Sequence, residues 1–293
     1  MGAQWLTAAY GLLTCLGAGT LGAVGASEIT GAAPRARRAA SVAAALLCLA
    51  GLGALACALG RPQAVVAVAA GAAHGSPKSL EFVGCCLALV LAVTYAVVDV
   101  RVESAAARRA VGVAGLACGV LACLVAGGSS AVGRPGLALP LAVSWLGNGF
   151  AAGGALYGVL AWALGRAGAD DGRTDCADGE AGSGAPTDER GRGPVAVAWV
   201  ALAGVALQAV GFVAAGAVMG FSAVNGPLFW GGALLVGTVG AAACLAVGRR
   251  WPAAFVAGLA CSAAGGACLR AAVLLVGTGS LNLIANAASR MAL

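Results

Sequence analysis

The chain has 293 residues, 61% of them hydrophobic and only 10% charged, with a mean hydropathy of +0.95 and a formal net charge of +6. Soluble domains carry roughly 25% charged residues, so this chain cannot cover a water-facing surface of ordinary size, and it has no room for a large soluble domain beside its apolar runs. The positive charge sits in loops, where sidedness matters more than the sum, and it argues against a nucleic-acid partner.

Apolar runs between charged or Pro-containing breaks predict an all-α, polytopic transmembrane bundle of about eight spans forming a single membrane domain. The first, Gln4 to Ala26, has no basic segment ahead of it and is long enough to cross the hydrocarbon, so it reads as a retained helix rather than a cleaved signal. After Arg35, Arg37 and Arg38 comes Ala39 to Leu59. A loop holding Arg61, His74 and Lys78 then leads to Ser79 to Val98, and Arg101, Arg108 and Arg109 lead to Ala110 to Gly127. The fifth span, Leu137 to Gly165, is rich in glycine. Residues 166–193 form the one sustained polar stretch, with Arg166, Arg173, Arg190 and Arg192 among seven acids, and read as a flexible cytoplasmic linker that cannot bury a core. Spans Pro194 to Met219, Leu228 to Gly248 and Ala253 to Val276 complete the set.

Trp5, Trp162, Trp199, Trp230 and Trp251 fall near predicted ends, where amphipathic rings favour the headgroup level. The pairs Gly115/Gly119, Gly149/Gly153, Gly154/Gly158 and Gly216/Gly220 would let helix backbones approach closely. Of eleven cysteines all but Cys176 lie in apolar runs and none form a C-x-x-C pair, so they read as small apolar filler. Loops after the odd-numbered spans hold twelve Arg; the opposite side holds Arg61, Lys78, Arg134 and Arg290. That bias predicts both termini on the extracytoplasmic side of a bacterial plasma membrane.

Two ionisable groups fall inside predicted spans, Glu81 in the third and Arg270 in the eighth. Charge at membrane depth is costly and generally faces a partner or a cavity. The predicted topology puts both in the outer half of the bilayer, near Arg61, His74 and Lys78, so one outward polar pocket would gather all five. The alternatives are that Glu81 caps the start of its helix and that Arg270 snorkels to the headgroups. One histidine, in a loop, cannot supply the paired axial ligands of a bundle haem.

Leu59-Gly60-Arg61-Pro62, followed after a loop by Ser76-Pro77-Lys78-Ser79-Leu80-Glu81-Phe82, resembles the segment joining spans 2 and 3 in the membrane-anchor subunits of dimethyl sulfoxide reductase-type molybdoenzymes, the DmsC family. The Gly-rich stretch from Trp145 through Gly158 and the spacing Gly265 to Arg270 are similar to the family's fifth and last spans. Ala58 and Gly266 stand where the family often has His and Glu, so the resemblance is that of a divergent paralogue. It implies a menaquinol-oxidising anchor without haem. Electrons would pass to a four-cluster ferredoxin-like iron–sulfur subunit and a molybdopterin catalytic subunit, with the iron–sulfur clusters and molybdopterin only in those partners. Glu81 would be the quinol proton acceptor, with Arg270, Arg61, Lys78 and His74 around the substrate. A small-solute transporter using the same pocket and a passive tether are the competing readings.

Overall fold

The computed structural model describes residues 2–60, 63–131, 134–174, 189–219, 225–248 and 250–291. Every long element among them is helical. Helix α1 spans Gly2–Thr30, α2 Pro34–Leu59, α3 Gln63–Ala70, α4 Pro77–Arg101, α5 Ala105–Ser129, α6 Pro135–Thr174 and α7 Glu189–Val218. A turn at Asn225–Pro227 leads into α8, Leu228–Gly248, and α9 runs from Ala254 to Met291. Helix starts follow local chemistry. Pro34 and Pro77 occupy first-turn positions, where the missing N–H costs nothing, and the Ser104 hydroxyl accepts a bond from the Ala107 amide to open α5. Gly60, at φ 66°, closes α2 in the left-handed region that glycine adopts without strain.

Seven of these helices are long and apolar enough to cross a membrane: α1, α2, α4, α5, α7, α8 and α9. The fifth predicted span is present as α6, a continuous helix that falls short of the apolarity of the other seven. Its position explains the difference. Helix α6 lies against α1, α2, α5, α7 and α9, and residues such as Ser144, Asn148 and Ala151 are buried by protein rather than lipid. The same contrast separates α1 from α2 and α4. In α1, the least apolar of the seven, 72% of the apolar stretch is buried, whereas in α2 and α4, two of the most apolar, the figure is 22%. Helices that meet hydrocarbon must be apolar all round, and those covered by other helices need not be.

The segment between α2 and α4, expected as a loop, contains α3 and a 3₁₀ turn at Gly71–His74. Helix α3 has eight residues, seven of them apolar, and is too short to span the hydrocarbon. Helix α6 continues past Gly165 to Thr174 and α7 begins at Glu189, so residues 175–188 of the polar stretch lie outside the described residues.

The glycine pairs act largely as their spacing suggests. Gly115 and Gly119 face α1, and Gly149 and Gly153 face Cys15 and Gly19 of the same helix; Gly154 meets Ala201 of α7 and Gly158 meets Phe255 of α9. Gly216 instead faces the rings of Phe229 and Trp230, and Gly220 lies outside the described residues. At the centre, a Cβ on either Gly19 or Gly153 would overlap the other helix's backbone. Helix α8 is wound as a π-helix over the 13 residues Leu228–Gly240, with the Thr238 hydroxyl donating to the carbonyl of Ala233, five residues back. Of its seven buried positions, five, Phe229, Ala233, Gly237, Ala241 and Leu245, recur every four residues, and Thr238 and Gly248 flank that row. That spacing is wider than the 3.6 of an α-helix, and it brings Gly237 against Gly265 of α9.

Gly153→Val is expected to lose at least about 1–3 kcal/mol of stability, the usual cost of overpacking, because neither backbone at the crossing can yield as a flexible side chain would. Denaturant unfolding of the detergent-solubilised chain measures it.

Candidate functional site: a buried polar cluster at one end of the bundle

Ser76 and Pro77 set the start of α4 so that Lys78 and Glu81, three residues apart, share one face. The Glu81 side chain is 1% exposed and that of Lys78 46%. Lys78 Nζ lies 2.8 Å from Glu81 Oε2, and the hydroxyl of Ser129, the last residue of α5, donates to the same oxygen at 2.7 Å. The other oxygen, Oε1, is buried without a hydrogen-bond partner. Glu81 therefore does not cap its helix: it lies in the fifth position and bonds across to α5. The pair joins a buried atom to the surface in a single contact.

Arg270 is buried at 7% exposure, so it does not snorkel. Its Nη1 donates to the Ala8 carbonyl at 2.9 Å, its Nη2 approaches Cys15 Sγ at 3.7 Å, and its Cζ lies 3.3 Å from the centroid of the Trp145 ring. That stacking is a cation–π contact out of water, where it is worth about 2 kcal/mol. Gly11 makes the arrangement possible, since a Cβ there would collide with the guanidinium. Arg270 and Glu81 form no ion pair. The Tyr10 hydroxyl is buried and unpartnered, as is Trp145 Nε1.

The five residues singled out in the sequence thus separate. Glu81, Lys78 and Arg270 belong to one cluster. His74 is exposed in the 3₁₀ turn, and the structure does not bring it in; Arg61 lies outside the described residues. Tyr10, Ser129 and Trp145 were missed, because an aromatic or a serine in an apolar run carries no signal of function until its neighbours are known.

A second buried ion pair was also missed. Arg37 Nη1 lies 3.0 Å from Glu28 Oε1, its Nη2 donates to the Ser27 carbonyl at 2.8 Å and its Nε to the Ser27 hydroxyl at 3.2 Å. The Tyr95 hydroxyl donates to the same Glu28 oxygen. Beside it the Tyr157 hydroxyl donates to the carbonyl of Ala33, a non-glycine residue at φ 39°. These bonds hold the tight turn from α1 to α2 in a backbone conformation that alanine otherwise avoids. The one hint in the sequence is an acid and a base nine residues apart across Gly31.

No protein-family profile, curated protein sequence or solved structure matches this chain.

Ser129→Ala is expected to cost about 1–3 kcal/mol, as a hydrogen bond to a buried charge is lost. Lys78→Met leaves the buried Glu81 without its cation, but the lost amine is half in solvent and the Ser129 hydroxyl still holds Oε2, so the cost falls to about 1 kcal/mol. Arg37→Met, which strands Glu28 inside the protein, costs about 3–5 kcal/mol. Equilibrium unfolding of the three variants in one detergent should rank them in that order, with Arg37→Met the most severe and Lys78→Met the least.

Proposed function

We propose that this chain is the membrane anchor and quinol-oxidising subunit of a respiratory molybdopterin oxidoreductase, with Glu81 as the proton acceptor. The observation that carries the reading is the split role of one carboxylate. Oε2 is held by Lys78 and Ser129, while Oε1 is buried, unpartnered and free to accept a hydrogen bond and then a proton. A quinol oxidised there loses two electrons and two protons. The electrons leave for an iron–sulfur subunit docked at this end of the bundle, and from there for the molybdopterin subunit. Protons pass from the Glu81 carboxyl to the surface beside the half-exposed Lys78 amine, one contact away. General acid–base work of this kind needs a group within hydrogen-bond reach of the proton it takes.

Glu81 is 1% exposed, so a ring reaches Oε1 only when α4 and its neighbours part. The lipid-facing character of α4 suits it to that movement: Leu80, Val83, Leu87 and Val90 are exposed along it. Lateral entry from the acyl region is the natural route for an apolar, membrane-dissolved substrate. The resemblance around Glu81 points to menaquinol and to a bacterial plasma membrane, with Ser76 and Lys78 on the extracytoplasmic face that the positive-inside count gives.

The test uses the complex purified from its native membrane. The wild-type preparation should contain iron and molybdenum in the partner subunits, and a menaquinol analogue should reduce the clusters, as read by electron paramagnetic resonance. Glu81→Gln keeps the shape but cannot take the proton, and it should slow cluster reduction at least about a hundredfold, the low end of the contribution of a positioned general base. Full-speed reduction in that variant, or a purified chain bringing no metal-containing partner, defeats the proposal.

A further inference from the structure

Two unmet polar atoms share the seam between α1 and α4. Thr14 Oγ1 of α1 donates to Cys85 Sγ of α4 at 3.4 Å, and further along the Tyr95 hydroxyl of α4 donates to the Glu28 carboxylate of α1. Residue numbers rise together from the first contact to the second, so the two helices run in the same direction. Tyr10 and Glu81 each stand four residues before the Thr14–Cys85 contact, one helical turn or about 6 Å nearer the Lys78 end. Residues four apart share a helix face, and side chains lean toward the helix N-terminus, so both enter the same layer of the seam. Each is 1% exposed. The Tyr10 hydroxyl and Glu81 Oε1 have no hydrogen-bond partner, which means that they do not bond each other either.

The chemistry of these two atoms selects what fits between them. A carboxylate oxygen only accepts, whereas a phenol hydroxyl can donate. A phenylalanine at position 10 would fill the same interior space without an unmet oxygen, so the hydroxyl calls for a ligand. We infer that Tyr10 is a substrate-binding residue of the proposed quinol site, its hydroxyl donating to the ring oxygen whose proton Glu81 takes. The inference rests on the reading of Glu81 as the proton acceptor. A quinol hydroxyl donates to Oε1 and accepts from Tyr10 at once. Oxidation by the route given above turns that hydroxyl into a carbonyl, which has no proton left for Glu81 but still accepts from Tyr10. Tyr10 thereby holds the ring in both oxidation states.

The measurement uses the purified complex in lipid nanodiscs, with rates of cluster reduction followed against the concentration of a menaquinol analogue. Infrared difference spectra are taken with bound menaquinone isotope-labelled at one carbonyl at a time. Tyr10→Phe should raise KM about fivefold, the worth of one hydrogen bond, and lower kcat far less than Glu81→Gln does. It should also move one labelled carbonyl band to higher frequency, as a donor to that oxygen is lost. Its unfolding midpoint in detergent should match or exceed the wild-type value, because no bond of the resting protein is removed; a lower midpoint with unmoved bands assigns the hydroxyl to structure and overturns the inference. Wild-type KM and unmoved bands in Tyr10→Phe, with Glu81→Gln still slow, overturn this inference alone. Clusters that quinol does not reduce in the wild-type complex overturn the reading of Glu81 and this inference with it.

Discussion

The crossing of α1 and α6 at Gly19 and Gly153 is the contact on which the rest of the molecule depends. Lipid gives helices no hydrophobic reason to associate, because acyl chains are as apolar as leucine. Association has to come from close backbone packing and from polar groups that find each other. With no side chain on either helix at the crossing, α1 can sink into the bundle, covered by α2, α5 and α6. Residues of α1 that would be intolerable against lipid then become interior: Tyr10, Thr14, Cys15 and Thr20 are all buried. The site at the other end of this argument, Arg270 against Ala8, Gly11 and Cys15, exists because α1 is inside.

The existence and number of long helices were legible in the sequence because hydrocarbon thickness sets a length and a composition that few other structures share. Each predicted span lies within or close to an observed helix, and the helices extend beyond the spans at several ends because backbone hydrogen bonding does not stop where apolar residues stop. Less legible was the hierarchy among the helices. Hydropathy reports exposure to lipid, so α6, packed against five other helices, gave the weakest signal of crossing while standing at the centre of the packing. The π-wound part of α8 left a faint trace in its fourfold spacing of small residues, but that pattern is read as helix packing unless the backbone is in view.

In the site, the sequence pointed to Glu81, Lys78 and Arg270 through one rule: ionisable residues inside apolar runs need a reason. The rule works one residue at a time and cannot say which groups meet. It placed Arg61 and His74 in the same niche because they were close in sequence and on the same predicted side, yet Arg61 lies outside the described residues and His74 is exposed in its turn and bonds to neither Glu81 nor Lys78. Conversely, Arg37 was read only as a loop charge and Glu28 was not singled out, although the two pair with each other inside the protein. Partnership between distant positions, as in the 262 residues separating Arg270 from Ala8, is a property of the fold alone.

The Glu28–Arg37 pair and the cluster around Glu81 and Arg270 differ in how completely their polar atoms are met. Around Glu28 and Arg37 the Arg37 fork meets three acceptors, two tyrosine hydroxyls each have one, and none of these residues contributes an unpartnered buried polar atom. Such completeness is what a structural clasp requires, since interior polar groups in native proteins are overwhelmingly satisfied. Around Glu81 and Arg270 the opposite holds: Tyr10 OH, Glu81 Oε1 and Trp145 Nε1 are buried and unmet, as are the Gln208 amide and the Ser262 hydroxyl elsewhere in the bundle. A bundle that had been shaped only to stay folded would have replaced these groups with apolar ones, because a half-satisfied network is less stable than a dry core. Their retention in a cluster linked to the surface by Lys78 is what the proposed quinol site rests on, whereas the complete set of bonds around Glu28 holds the turn.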